Sequence, residues 1–99
     1  MKPGKRTSGA AEARIGYTTV VSAHLRGRMR EISNLHTLEA QRGLGDGSRL
    51  MRKICEEADG EGLMLMLMPD TDRLATWYAG FGFVTIQESP SIMVRVCRL

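Results

Sequence analysis

Aromatic residues are scarce in this 99-residue chain: one Trp, two Tyr and two Phe. The shortage weighs against nucleic-acid binding. Arg26, Arg28 and Arg30 recur at every second position and would share one face of a continuous strand. Only Tyr17 lies nearby for base stacking, so the stripe reads as a solvated or partner-facing edge. No apolar run approaches the ~18 residues of a membrane span; LMLMLM at 63–68 is far shorter. Cysteine is sparse too. Cys55 and Cys97 lack metal-ligand spacing and no secretory signal precedes them, so the expectation is reduced packing thiols, no metal and a cytoplasmic setting. Internal repeats and low-complexity segments are absent. Acids are nearly missing from residues 1–30, where seven Lys or Arg face only Glu12 for a net +6. Residues 31–99 hold seven bases against ten acids, a net −3. A basic half of this kind suits phosphates, an acidic protein or nucleic acid.

What is present supports one small domain, since 42% apolar residues fill a single core. MKPGKRTSGAAEA, residues 1–13, reads as a flexible basic leader, with the domain running over 14–99. If ordered, a leader of this composition would point to a partner in a larger assembly. An organelle transit peptide is set aside because the arginine-rich part belongs to a strand. ARIGYTTVVSA is β-rich, HLRGR reads as a turn and MREISNLHTL as a second, antiparallel strand. Residues 46–58 form a helix whose buried face is Leu50, Met51, Ile54, Cys55 and Ala58, ended by DGEG. LMLMLM, short and followed by Pro69, reads as a strand buried on both faces. PDTDRLATWYAGFGF opens with N-cap residues and holds a second helix. FVTIQ and SIMVRVC close the order β-β-α-β-α-β-β, an α/β (α+β) fold with a mixed sheet of about five strands.

Residues 41–47, QRGLGDG, hold three glycines in five positions at a strand-to-helix junction. Glycine gives up more backbone entropy on folding than any other residue, so such clustering implies a close backbone approach. The unpaired N–H groups and dipole of the following helix make that place an anion site. No Lys-Ser/Thr follows for a P-loop, and the glycine spacing is not that of dinucleotide folds. The helix charges run against its dipole, with Arg49, Arg52 and Lys53 in the first half and Glu56, Glu57 and Asp59 in the second. A bound anion rationalises this order; so does an exposed face that tolerates it.

Arg42, Gly45 and Gly47 meet an Arg/Gln-x-x-Gly-x-Gly/Ala pattern. Asn34-Leu35-His36-Thr37 stands upstream, and Trp77, Tyr78, Gly82 and Phe83 follow some 30 residues later. Together these resemble the motifs of the GNAT superfamily of acyl-CoA-dependent N-acetyltransferases, over about residues 29–98. The resemblance implies acetyl-CoA as cosubstrate, held between the strands at 29–38 and 63–68. Strand contacts would come from Leu35, His36 and Thr37. The turn would contribute Arg42, Gly43, Leu44, Gly45, Asp46, Gly47 and Ser48. Tyr78 would protonate the leaving thiolate, the competing reading being a packing Tyr beside Trp77. Glu31 or His36 would take the amine proton; five positions apart, they face opposite sides unless a bulge intervenes. His24 has no assigned role.

Departures from the family pattern matter as well. Asp46 stands where an aliphatic residue is usual, and beside a pyrophosphate it is unfavourable unless paired with Arg42 or Arg49. Glu39 replaces a proline. About 28 residues precede the central strand, too few for the family's N-terminal strand and two helices. The acceptor side is then expected from a second copy or a larger assembly. Two functions follow. One is an N-acetyltransferase acting directly on an amine. The alternative is an inactive GNAT-fold structural or assembly protein, as in a virion or multisubunit complex.

Overall fold

The computed structural model describes residues 1–18, 27–37 and 45–97. Within them the chain forms β1 (Gly4–Ser8), β2 (Ala11–Gly16), β3 (Met29–Thr37), α1 (Asp46–Gly60), β4 (Met64–Leu67), α2 (Asp72–Ala79), β5 (Val84–Glu88) and β6 (Ser91–Arg95). The six strands make one mixed sheet in the order β1-β2-β3-β4-β6-β5. Only β3 and β4 pair in parallel; α1 is their crossover. The α/β architecture therefore agrees with the sequence expectation, with one strand more than the five foreseen.

The additional strand lies inside the stretch expected to be a flexible leader. Residues 4–8 and 11–16 form an antiparallel hairpin instead. Its first strand has little apolar content; its Lys5 pairs with Glu12 of β2, and its Arg6 and Thr7 are held by α1. Arg6 binds Glu57 in a two-pronged ion pair, Nε to Oε1 at 3.0 Å and Nη2 to Oε2 at 2.9 Å. Lys53 Nζ donates to the Thr7 carbonyl at 3.3 Å. A bidentate guanidinium–carboxylate pair holds geometry as well as charge. Residues 19–26, the outer part of the expected first long strand and the start of the expected turn HLRGR, lie outside the described residues. Of the arginine stripe, Arg30 lies over the Tyr17 ring at 4.6 Å and Arg28 is exposed.

The core sits between the sheet and α1. Leu50, Met51, Ile54, Cys55 and Ala58, the face foreseen from periodicity, are all buried. They cluster with Ala11, Ala13 and Ile15 of β2, Ile32 of β3 and Leu65 and Leu67 of β4. Tyr78 of α2 joins the same cluster. Met29, Met66 and Ile92 form a smaller cluster of their own. Helix α2 begins where PDTD predicts: the Thr71 hydroxyl accepts from the Leu74 N–H at 3.1 Å. Arg95, 5% exposed, clamps the far end. Its guanidinium takes both Asp59 oxygens, at 2.8 and 2.9 Å, and donates to the Phe81 carbonyl at 2.8 Å. Among the described residues no helix is long and apolar enough to cross a membrane.

Candidate functional site

Strands β3 and β4 pair over three positions only: Met29 with Met64, Arg30 with Leu65 and Glu31 with Met66. Beyond that point β4 ends at Leu67 while β3 runs on to Thr37. From Ile32 onward, the β4-facing edge of β3 has no strand partner among the described residues. A parted parallel pair leaves unpaired backbone donors and acceptors along one wall of a gap. The gap is a cleft of about 740 Å³, with β3 on one side and α2 on the other.

A bulge shapes the β3 wall. Arg14 of β2 faces Ser33 and Glu12 faces His36, so β3 advances three residues where β2 advances two. The bulge includes Asn34, whose φ of 53° lies in the left-handed region that Asn tolerates better than most residues. The His36 Nδ1 sits 3.0 Å from the Asn34 carbonyl. One consequence reverses the regular-strand expectation. Glu31 and His36 come to the same face, and both line the cleft.

Of the residues singled out by sequence, Glu31, Leu35, His36, Gly47 and Tyr78 meet around this cleft. Gly45 is the N-cap of α1 with φ 81°, where a Cβ would stand 3.2 Å from Arg49 Nη1. That backbone favours glycine on conformational grounds. Ser48 is half-buried in the first turn of α1, and Thr37 ends β3. Arg42, Gly43 and Leu44 lie outside the described residues, as does Glu39.

Asp46 is turned to other work. Its Oδ2 accepts the Ala10 N–H at 3.0 Å, and its Oδ1 accepts from the Arg49 guanidinium. The Ala10 hydrogen bond first, and Arg49 second, hold its carboxyl below the usual carboxylate range. Asp46 thus pins the β1–β2 turn to the start of α1, and Arg49 is its partner, as one of the two pairings foreseen. It is not among the residues lining the cleft.

Tyr78 is 7% exposed and braced by aromatic neighbours, with Trp77 at 5.2 Å and Phe83 at 5.9 Å between ring centroids. Burial, and after it the Asp70 carboxylate, pushes its phenol above the ordinary value of 10. At neutral pH it keeps its proton and can only give it away to a stronger base. Trp77 of the second motif lines the cleft as well, and so do Asp70, Arg73 and Leu74, which were not singled out from sequence. Helical spacing carries the missed signal. Leu74 lies four residues before Tyr78, and Arg73 four before Trp77, so the α2 wall is one helix face. Among the described residues no group of His, Cys, Asp and Glu could hold a metal ion.

Comparison with known proteins gives this geometry a family. The chain resembles the N-acetyltransferase from Staphylococcus aureus Mu50 at TM-score 0.73 and 14% identity, over 90% of this chain and 61% of that one. It resembles the ribosomal-protein-S18-alanine N-acetyltransferase from Escherichia coli at 0.70 and 15%, over 91% and 63%. It also resembles the N-acetylglutamate synthase from Neisseria gonorrhoeae, solved with coenzyme A and L-arginine, at 0.67 and 23%, over 91% and 22%. Identities this low speak for the fold alone, and the chain spans less than two thirds of the length of each neighbour. No curated protein matches it. The sequence profile of the Acetyltransferase (GNAT) family, however, matches residues 4–83, from the first strand through α2, and the chain belongs to that family.

Proposed function

We propose that this chain binds acetyl-CoA in the cleft between β3 and α2 and transfers its acetyl group directly to an amine. The observation that carries this reading is the parting of β3 from β4 beyond Glu31 and Met66, with Glu31 and Tyr78 both on the resulting walls. The cleft suits a long thioester chemically: Gly47 at the start of α1 lines it, and so does a strand edge that has no strand partner among the described residues. Gly45 and Gly47 let the phosphate end approach the helix N-terminus closely. When bound, acetyl-CoA supplies an electrophilic carbonyl and a thiolate leaving group. Glu31 takes a proton from the acceptor ammonium, freeing the lone pair that forms the new C–N bond. Tyr78 gives its hydroxyl proton to the departing sulfur and recovers one from the nitrogen as the amide forms. Leu35, His36 and Thr37 hold the cosubstrate along β3, and the turn at 42–48 receives its phosphates. A reducing, cytoplasmic setting agrees with Cys55 and Cys97, neither of which is in a disulfide. A second copy or another chain could complete the acceptor side.

Two measurements test the reading. Coenzyme A at ~100 times its dissociation constant should add about 2.7 kcal/mol of stability, seen as a raised melting temperature. Gly45→Glu should abolish the rise while the protein stays folded. Tyr78→Phe should bind acetyl-CoA as wild type does but transfer ~10²–10⁴-fold more slowly. No melting shift at millimolar coenzyme A would overturn the enzyme reading in favour of an inactive assembly protein.

A further inference from the structure

On the other side of the β3 bulge lies a second hollow of about 350 Å³ that shares Asn34, Leu35 and His36 with the cleft. Its charged residues are Lys5, Glu12 and Arg14, with the His36 ring beside them. Glu12 is already divided between two neighbours: Oε2 lies 3.4 Å from Lys5 Nζ, and Oε1 lies 3.2 Å from His36 Nε2. Arg14 is exposed, and its side chain has no hydrogen bond or ion pair among the described residues. The hollow therefore holds one uncommitted guanidinium beside a carboxylate that is spoken for.

Register fixes where that guanidinium stands relative to Glu31. Gly16 is opposite Glu31, and Arg14 is opposite Ser33. Side chains alternate along a strand, so Arg14, Ser33 and Glu31 share one face. Glu31 and Arg14 are diagonal neighbours, about 7–8 Å apart at the backbone. Gly16, next to Arg14 on that face of β2 and opposite Glu31, adds no side chain: a Cβ there would meet nothing within 4 Å among the described residues. By register, a carboxylate that can accept protons and a guanidinium fork thus share one sheet face a single diagonal apart, Glu31 lining the cleft and Arg14 the hollow beside it.

We infer that Arg14 selects the acceptor by binding the carboxylate of a free amino acid whose amino group lies at Glu31; this rests on the acyl-transfer reading above. A planar fork matches a carboxylate bidentately. The short diagonal suits a molecule whose amine and carboxylate are one or two carbons apart. It does not suit a lysine side chain in a protein, which brings no nearby carboxylate. A phosphate of the cosubstrate is the other anion that could reach Arg14. The start of α1 that would hold phosphates, however, is fastened through Asp46 to Ala10, beside the Ala11–Thr37 pair and four positions along β3 from Ser33.

The test pairs the free amino acids with their primary carboxamides as acceptors for acetyl-CoA. Wild type should favour the acids in kcat/KM by about 10–100-fold, as expected for a hydrogen bond to a charged group. Arg14→Gln should raise KM for the acids by a similar factor and leave the carboxamides and the KM for acetyl-CoA unchanged. Arg14→Lys should recover part of the loss. Equal use of acids and carboxamides by wild type would overturn the inference. Weakened coenzyme A binding in Arg14→Gln would overturn it too, by making Arg14 a cosubstrate contact. Should no acceptor turn over, binding of the same panel is read by ligand-observed NMR. Arg14-dependent binding of the acids without any coenzyme A shift would sink the acyl-transfer reading and keep the amino-acid site. Binding that ignores the carboxylate would sink the inference itself.

Discussion

The two edges of the sheet are held in opposite ways. At one edge, β1 is polar and charged, yet Arg6, Thr7 and the following turn are each fastened to α1 through Glu57, Lys53 and Asp46. At the other, β5 is exposed along its whole length, with Val84 and Ile86 at 62% and 61%, and no ion pair involves it among the described residues. Among the described residues its one strand partner is β6. The contrast teaches that a charged, apolar-poor segment is not thereby disordered when its charges have partners on another element. It also accounts for the reversed charge order of α1. Asp46 serves the hairpin turn, Glu57 pairs with Arg6 and Asp59 with Arg95. Macrodipole mismatch costs ~0.3–1 kcal/mol per terminal charge, a term these hydrogen-bonded pairs can offset without any bound anion.

The largest expected break in this comparison is at Gly9. Its φ is 57°, and a Cβ there would fall 2.6 Å from the Asp46 carboxyl. Gly9→Ala therefore meets an unfavourable backbone region and pushes Asp46 off the Ala10 N–H. The two effects should cost roughly 2–3 kcal/mol together, a melting drop of order 10 °C or more for a domain of this size. Adding Asp46→Ala should cost less than the separate losses summed, because the clash and the hydrogen bond belong to one contact. Full additivity would show that turn and helix are not coupled. The pair would also fray the helix start, so it should diminish the coenzyme A melting shift.

A smaller effect is expected from acid. The Arg6 side chain, by its hydrogen bonds and then by its charge, holds the Glu57 carboxyl below its ordinary value, and Asp46 is lowered likewise. A carboxyl whose folded value is depressed contributes stability that is whole above its unfolded value, ~4, and is lost as pH falls through the lower folded value. Glu57→Gln should cost up to about 1 kcal/mol at pH 7, since the pair is partly exposed. It should then melt closer to wild type as pH drops from 5 to 2. Curves that stay parallel over that range would mean the pair contributes nothing.

How much of this was readable beforehand follows the same divide. The buried face of α1, the brevity of β4 and the Thr71 cap are local signals, and all appear where spacing put them. The hairpin was missed because its first strand is stabilised by Glu57, 51 residues away, which no local window contains. The shared face of Glu31 and His36 was missed because alternation assumes an unbroken strand. Asn34, a residue depleted in strands and tolerant of left-handed backbone, was the available warning. The charge of Asp46 was visible, but its Ala10 partner is a backbone group brought near only by folding. Arg42, Gly43 and Leu44, the first part of the glycine motif, fall outside the described residues and remain sequence readings.

The smallest expected effect sharpens the other side of the comparison. Ile86 is the extra residue of a β5 bulge, since Thr85 faces Met93 and Gln87 faces Ile92. With 61% of its surface exposed, it has little burial to lose. Ile86→Lys should therefore change stability by no more than about 0.5 kcal/mol, well below Gly9→Ala at the opposite edge. A lysine on an edge strand also discourages edge-to-edge pairing between chains, so the variant should be at least as monodisperse as wild type in sedimentation. A loss above ~1.5 kcal/mol would be too large for an exposed position. It would mean that this edge is covered in solution. Melting temperatures of wild type that rise with protein concentration, and stop rising in Ile86→Lys, would identify the cover as a second copy. The asymmetry between the edges would then be a division of labour, one edge latched within the chain and the other between chains.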